Sequence, residues 1–108
     1  MNERFSIFYS PEALEDIRKI YAYIAFELQV PETAQKQVAR IRKEIRTLDF
    51  MPMRYSLVDW EPWRSMQMHS VPIDNYIVYY TLDSEKSSVT IIRIFYSGRD
   101  VERIVRSE

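Results

Sequence analysis

The chain has no cysteine, one glycine and one histidine among its 108 residues. Without cysteine there are no disulfides, thiol nucleophiles or thiolate metal sites, a composition that suits a reducing compartment. A single glycine excludes a glycine-rich phosphate loop and a dinucleotide-binding fingerprint, and the chain carries no nucleophile elbow. A single histidine supplies no metal-ligand spacing, so no metal and no cofactor are expected. Nor is there an excess of positive charge, because 15 Lys and Arg face 16 Asp and Glu. Binding nucleic acid mainly through phosphates would therefore need a local basic patch. Met-Asn-Glu-Arg-Phe at the start lacks the apolar core of a signal peptide, and no stretch approaches a membrane span. The expectation is a soluble cytoplasmic domain with no membrane partner.

What the chain does have is 46% hydrophobic and 14% aromatic residues, with eight tyrosines and five methionines. That content supports one compact domain over residues 1–108. Tyrosine and methionine fill cores and also favour adaptable contact surfaces.

Taken in order, Phe5 to Tyr9 is a short strand. Ser10-Pro11 then starts a helix, because Ser10 can accept from an exposed backbone N–H and Pro11 suits the first helical position. Leu14, Ile17, Tyr21, Ile24 and Leu28 recur at spacings of three and four, which predicts one amphipathic helix from Pro11 to about Glu27. Pro31 opens a second helix with Ala34, Val38, Ile41, Ile45 and Leu48 on its stripe, folded back on the first as a hairpin. Its outer face carries Lys36, Arg40, Arg42, Lys43 and Arg46 against Glu32 and Glu44, with Arg40 and Glu44 spaced as a helix pair. Residues 50–63 read as an ordered aromatic loop, followed by a strand from Arg64 to Val71 that ends at Pro72.

Tyr76 to Leu82 and Ser88 to Tyr96 are rich in β-branched and aromatic residues, and the polar residues 83–87 close them into a hairpin. Strict alternation would place Val89, Ile91, Arg93 and Phe95 on one face of the second strand and Thr90, Ile92, Ile94 and Tyr96 on the other. Both faces are largely apolar, and a face left open would be a partner-sized surface. In Tyr96-Ser97-Gly98-Arg99-Asp100, Gly98 is expected to turn with positive φ and Asp100 to cap a short helix from Val101 to Arg106. The fold class is α+β: β-α-α-β-β-β with a short C-terminal helix, an antiparallel sheet packed against an N-terminal helical hairpin.

One grouping is chemically suggestive. Arg64, His69, Arg93, Tyr96 and Arg99 form a candidate catalytic set if the meander brings them to one end of the sheet. Arginines holding a phosphate, with His69 or Tyr96 moving a proton, would cleave RNA through its own 2′-hydroxyl without metal. Tyr55, Trp60 and Trp63 of the aromatic loop, with Arg93 and Arg99, form a candidate binding surface for a partner protein.

The whole pattern resembles the RelE/ParE superfamily of toxins from bacterial type II toxin–antitoxin modules. The likeness runs through residues 10–17 (SPEALEDI) with Ile20, Tyr23 and Ile24, then Ala34, Val38, Ile41 and Ile45, then Arg64. It continues through residues 71–80 (VPIDNYIVYY) and 89–96 (VTIIRIFY), and closes on Gly98-Arg99-Asp100-Val101. It covers roughly residues 5 to 104, and the first helix and the final strand and turn look most like the ParE branch. The ParE branch implies a growth inhibitor that poisons DNA gyrase and is neutralised by a cognate antitoxin, as in plasmid-stabilisation systems. The RelE branch implies a metal-independent endoribonuclease that acts on mRNA in the ribosome, an mRNA interferase. That branch usually has an arginine just after the tyrosine of the third strand, where this chain has Ile77. A third alternative is a non-toxic interaction domain derived from such a toxin.

Overall fold

The computed structural model describes residues 4–108, and the first three residues of the expected domain lie outside that range. Four strands and three helices follow one another: β1 (Ser6–Tyr9), α1 (Pro11–Ala22), α2 (Pro31–Arg46), β2 (His69–Ile73), β3 (Tyr76–Asp83), β4 (Ser88–Tyr96) and α3 (Val101–Arg106). The expected α+β architecture is present. β2, β3 and β4 form the antiparallel meander, and β1 joins the free side of β4 in parallel, giving the order β1-β4-β3-β2. The sheet is thus mixed, with its one parallel pair at β1.

Helix α1 begins where Ser10-Pro11 places it, with the Ser10 hydroxyl accepting from the Ala13 N–H at 2.9 Å. It runs on through a wider, π-helical turn at Tyr23–Glu27, so the apolar stripe ends near Glu27 as expected. Gln29, at φ 60°, reverses the chain before Pro31 opens α2. Arg40 does not pair with Glu44 as its spacing suggested. Its guanidinium instead binds the Asp74 carboxylate at 2.8 and 2.9 Å, joined by the Gln37 amide at 3.0 Å. Two fixed donors in a fork fit a carboxylate better than a flexible helix neighbour does. This contact ties α2 to the turn between β2 and β3.

Two expectations for β2 need correction. Residues 64–67 are turn rather than strand, because their alternating polar and methionine pattern serves a tight reversal with Gln67 at φ 56°. Pro72 lies inside β2 instead of ending it. β2 is the sheet edge, and the Ser70 N–H already points outward to the Ser56 carbonyl. The backbone nitrogen two residues on faces the same way, so the donor that Pro72 lacks would have pointed away from β3.

A bulge divides β4. Tyr80 pairs with Ile91 and Tyr79 with Arg93, which leaves Ile92 as the extra residue and inverts the alternation beyond it. Val89, Ile91 and Ile94 therefore share the main core with Val78, Tyr80, Ile17, Ile41 and Ile45 under the helical hairpin. Phe95 falls instead with Ile92 on the opposite face. That face is not left open, because Val58 and Trp63 of the aromatic loop, Met68 just before β2 and Val101 of α3 pack on Tyr79 and Phe95. The loop read as a candidate binding surface is largely the cover of the sheet's second face.

Candidate functional site

Past Ile91, β4 keeps β3 on one side but has no strand on the other, because β1 ends at Tyr9. The start of α1 completes that edge. The Ser10 N–H donates to the Ile91 carbonyl, the Ser10 hydroxyl to the Ile92 carbonyl at 2.8 Å, and the Asp16 carboxylate accepts from the Ile94 N–H at 2.9 Å. Buried backbone groups need such partners, and one helix end here supplies three. Asp16 also accepts from Arg93 Nε at 2.9 Å and from its terminal nitrogen at 3.3 Å, while the other terminal nitrogen reaches Glu108 at 3.0 Å. The side chains of Arg93 and Asp16 are only 16% and 8% exposed. Hydrogen bonding to Asp16, opposed by partial burial, moves the guanidinium further above its ordinary value and keeps it charged.

Arg93 also lies over the Phe95 ring, 4.4 Å from its centroid, with Arg99 on the same ring at 5.9 Å. These two of the five candidate catalytic residues converge. The others do not join them. His69 is buried on β2 and stacks on Tyr80 at 5.3 Å in the core beneath the helices. Its Nδ1 lies 2.8 Å from the Tyr55 carbonyl, which can only accept, so Nδ1 carries the proton. The neighbouring Tyr80 hydroxyl donates to the Pro52 carbonyl at 2.7 Å, and burial holds that phenol well above its usual range. Arg64 sits exposed in the turn after Trp63, its N–H donating to the Trp60 carbonyl. Tyr96 is half-exposed at the end of β4 and meets Tyr76 edge to face at 6.0 Å.

The candidate binding residues divide in the same way. Trp63 is buried between Trp60, at 5.0 Å, and Tyr79, at 4.7 Å, and acts as a structural wedge. Trp60 and Tyr55 are partly buried, and Arg54 stacks on the Tyr55 ring at 4.6 Å. Arg99 remains exposed on the turn, where its N–H donates to the Tyr96 carbonyl at 3.0 Å. Gly98 does not have the positive φ expected of it. Its small size matters because the Tyr96 ring rests on it: a Cβ there would lie 2.8 Å from Tyr96 Cε2.

Two features went unread in the sequence. Asp16 falls on the buried stripe of α1 between Ala13 and Ile20, and a carboxylate on an apolar face signals a buried cation, which Arg93 in an apolar strand supplies. The second is a tyrosine cluster. Burial raises the Tyr76 phenol, and Tyr96 and Tyr23 add to the effect by their proximity. Tyr23 and Tyr96 are both half-exposed, so the turn after α1, the start of β3 and the end of β4 form a tyrosine-lined surface that reaches the turn carrying Arg99.

The chain matches the model of the ParE toxin of type II toxin–antitoxin systems over residues 7–101. It is similar in structure to a protein of the chromosomal ParDE toxin–antitoxin system of Pseudomonas aeruginosa, at 19% identity and a TM-score of 0.70, covering 86% of this chain and 96% of that one. It is also similar to a chain of the RelBE2 toxin–antitoxin complex of Mycobacterium tuberculosis, at 18% identity and a TM-score of 0.62, covering 87% and 92%. A chain of the RelE–RelB complex of Pyrococcus horikoshii resembles it at 11% identity and a TM-score of 0.59, covering 89% and 98%. No curated protein sequence matches it.

Proposed function

The chain belongs to the ParE family of type II toxins, and from that premise we propose that it arrests growth by binding and poisoning DNA gyrase, neutralised by a cognate antitoxin. The observation that carries the choice of target is the commitment of Arg93 to Asp16 and Glu108. Metal-free RNA cleavage needs convergent donors for the extra phosphate charge and a proton-transfer group beside them. Here one arginine is held by two carboxylates, His69 is hydrogen-bonded under the helices, and Ile77 stands where the RelE branch usually has arginine. A protein inhibitor needs only a complementary surface. The exposed Arg99 on the turn after half-exposed Tyr96 supports that reading.

The antitoxin reading draws on the exposed apolar side chains of the hairpin. Phe26 is 71% exposed, and Tyr23, Leu28 and Val30 are exposed near it in sequence. The sheet's own faces are already covered, so the groove beside the hairpin is the place for an antitoxin segment that orders on binding.

Induced expression in a bacterial host tests the target. Growth arrest accompanied by double-strand DNA breaks and relieved by gyrase variants supports the reading. Arrest with intact DNA and mRNAs cut at codon positions would replace gyrase by the ribosome, and no arrest would leave a non-toxic interaction domain.

A further inference from the structure

Four methionines lie within the described residues, and they divide sharply by accessibility. Met51, Met53 and Met66 are 51%, 50% and 51% exposed, whereas Met68 is fully buried with Trp63, Tyr79 and Phe95. The backbone that carries these exposed side chains is pinned independently of them. Arg54 donates to the carbonyls of Phe50 and Met51, the Pro52 carbonyl accepts from Tyr80, and the turn before Met66 is held by the Glu61 carboxylate on the Ser65 N–H and hydroxyl. With no cysteine in the chain, these thioethers are the most accessible sulfur reductants among the described residues.

We propose that Met51, Met53 and Met66 are reversible oxidation sites that take up peroxide-class oxidants while the fold stays intact, and that Met68 is shielded. In each step the sulfur gives two electrons to the peroxide, the S=O bond forms as the O–O bond breaks, and water leaves. A thiol-dependent sulfoxide reductase reverses it, releasing the oxygen as water and forming a disulfide on the reductase. At the three half-exposed positions an S=O group has solvent within reach. At Met68 the same group would sit unpaired among aromatic rings, so its oxidation requires the loop to open first.

The test treats the purified full-length chain with hydrogen peroxide and follows each methionine by peptide-resolved mass spectrometry, beside tryptophan emission and near-UV circular dichroism. Met1 is read on its own peptide and does not enter the comparison. The expected result is oxidation of Met51, Met53 and Met66 at least roughly tenfold faster than Met68. The spectra should not change, a sulfoxide reductase should restore the masses, and the difference should vanish in guanidinium chloride. The Met68→Leu variant should keep the three fast sites and the fold. Oxidation of Met68 at the surface rate in the folded chain, protection of any of the other three, unfolding as they oxidise, or failure of the reductase would overturn the proposal.

Discussion

Arg93 shows how a residue that reads as a site candidate becomes, once placed, part of the frame. In the sequence it is a lone cation in an apolar strand, and nothing local says whether it faces substrate or a buried acid. Its partner is 77 residues away in the chain, on α1. Removing one member of a buried, hydrogen-bonded pair leaves the other uncompensated, so Asp16→Asn and Arg93→Ala should each lower stability by about 3 kcal/mol in thermal or denaturant melts. A melt of Arg93→Ala unchanged within about 0.5 kcal/mol would show the pair to be superficial. Arg99→Ala should leave the melt unchanged and weaken toxicity. Gly98 was legible as a turn but not for its reason. Since its φ is not positive and the clash is with a half-exposed ring that can swing aside, Gly98→Ala should cost less than about 1 kcal/mol and displace the Tyr96 ring. Asp74 gives a pH test. Its bonds to Arg40 and Gln37 hold the carboxyl at about 2, below its ordinary value of 3.8. A depressed carboxylate contributes stability that is complete above the ordinary value and is lost as pH falls toward about 2. Carboxyl NMR titration should show this low midpoint, and Arg40→Ala should return it toward the ordinary range.

Among the elements, those with local chemistry were legible and those set by distant partners were not. Ser10-Pro11 and Asp100 place the starts of α1 and α3 because capping is a property of three or four consecutive residues. The β3–β4 hairpin was legible because two β-branched runs flank a short polar turn. The bulge at Ile92 was not, since alternation carries no mark of an inserted residue, and it moved Phe95 and Ile94 to faces opposite those expected. The start of β2 was missed because residues 64–68 mix polar and methionine side chains in a pattern shared by strands and tight turns. Ser10 has an element-scale consequence, because its hydroxyl both caps α1 and donates to the Ile92 carbonyl at the β4 edge. Ser10→Ala should therefore cost about 2 kcal/mol, toward the upper end for loss of a cap, and speed amide exchange at the start of α1. Exchange unchanged there would mean that β4 holds its edge without the hydroxyl.

For the molecule as a whole, the order and spacing of weak signals carried more than any single motif, and the expected family and α+β fold are both found. The candidate site was less legible, because whether Trp63 and His69 face outward depends on how a long loop folds back over the sheet, and whether Arg93 does depends on a carboxylate on α1. The resulting molecule has its nuclease-like groups dispersed or paired and an exposed tyrosine and arginine surface at one end of the sheet. Hydrogen exchange with the cognate antitoxin should protect amides of residues 23–37 beyond their level in the free toxin. Equal exchange there would move the antitoxin elsewhere. Action on gyrase is measured by adding the purified chain to gyrase and plasmid DNA and quantifying cleaved, gyrase-linked DNA. A gyrase-directed toxin should make cleaved complexes accumulate and supercoiling fall, with Arg99→Ala weakening both effects and antitoxin abolishing them. Gyrase unaffected by a well-folded chain that cuts mRNA on translating ribosomes would contradict it.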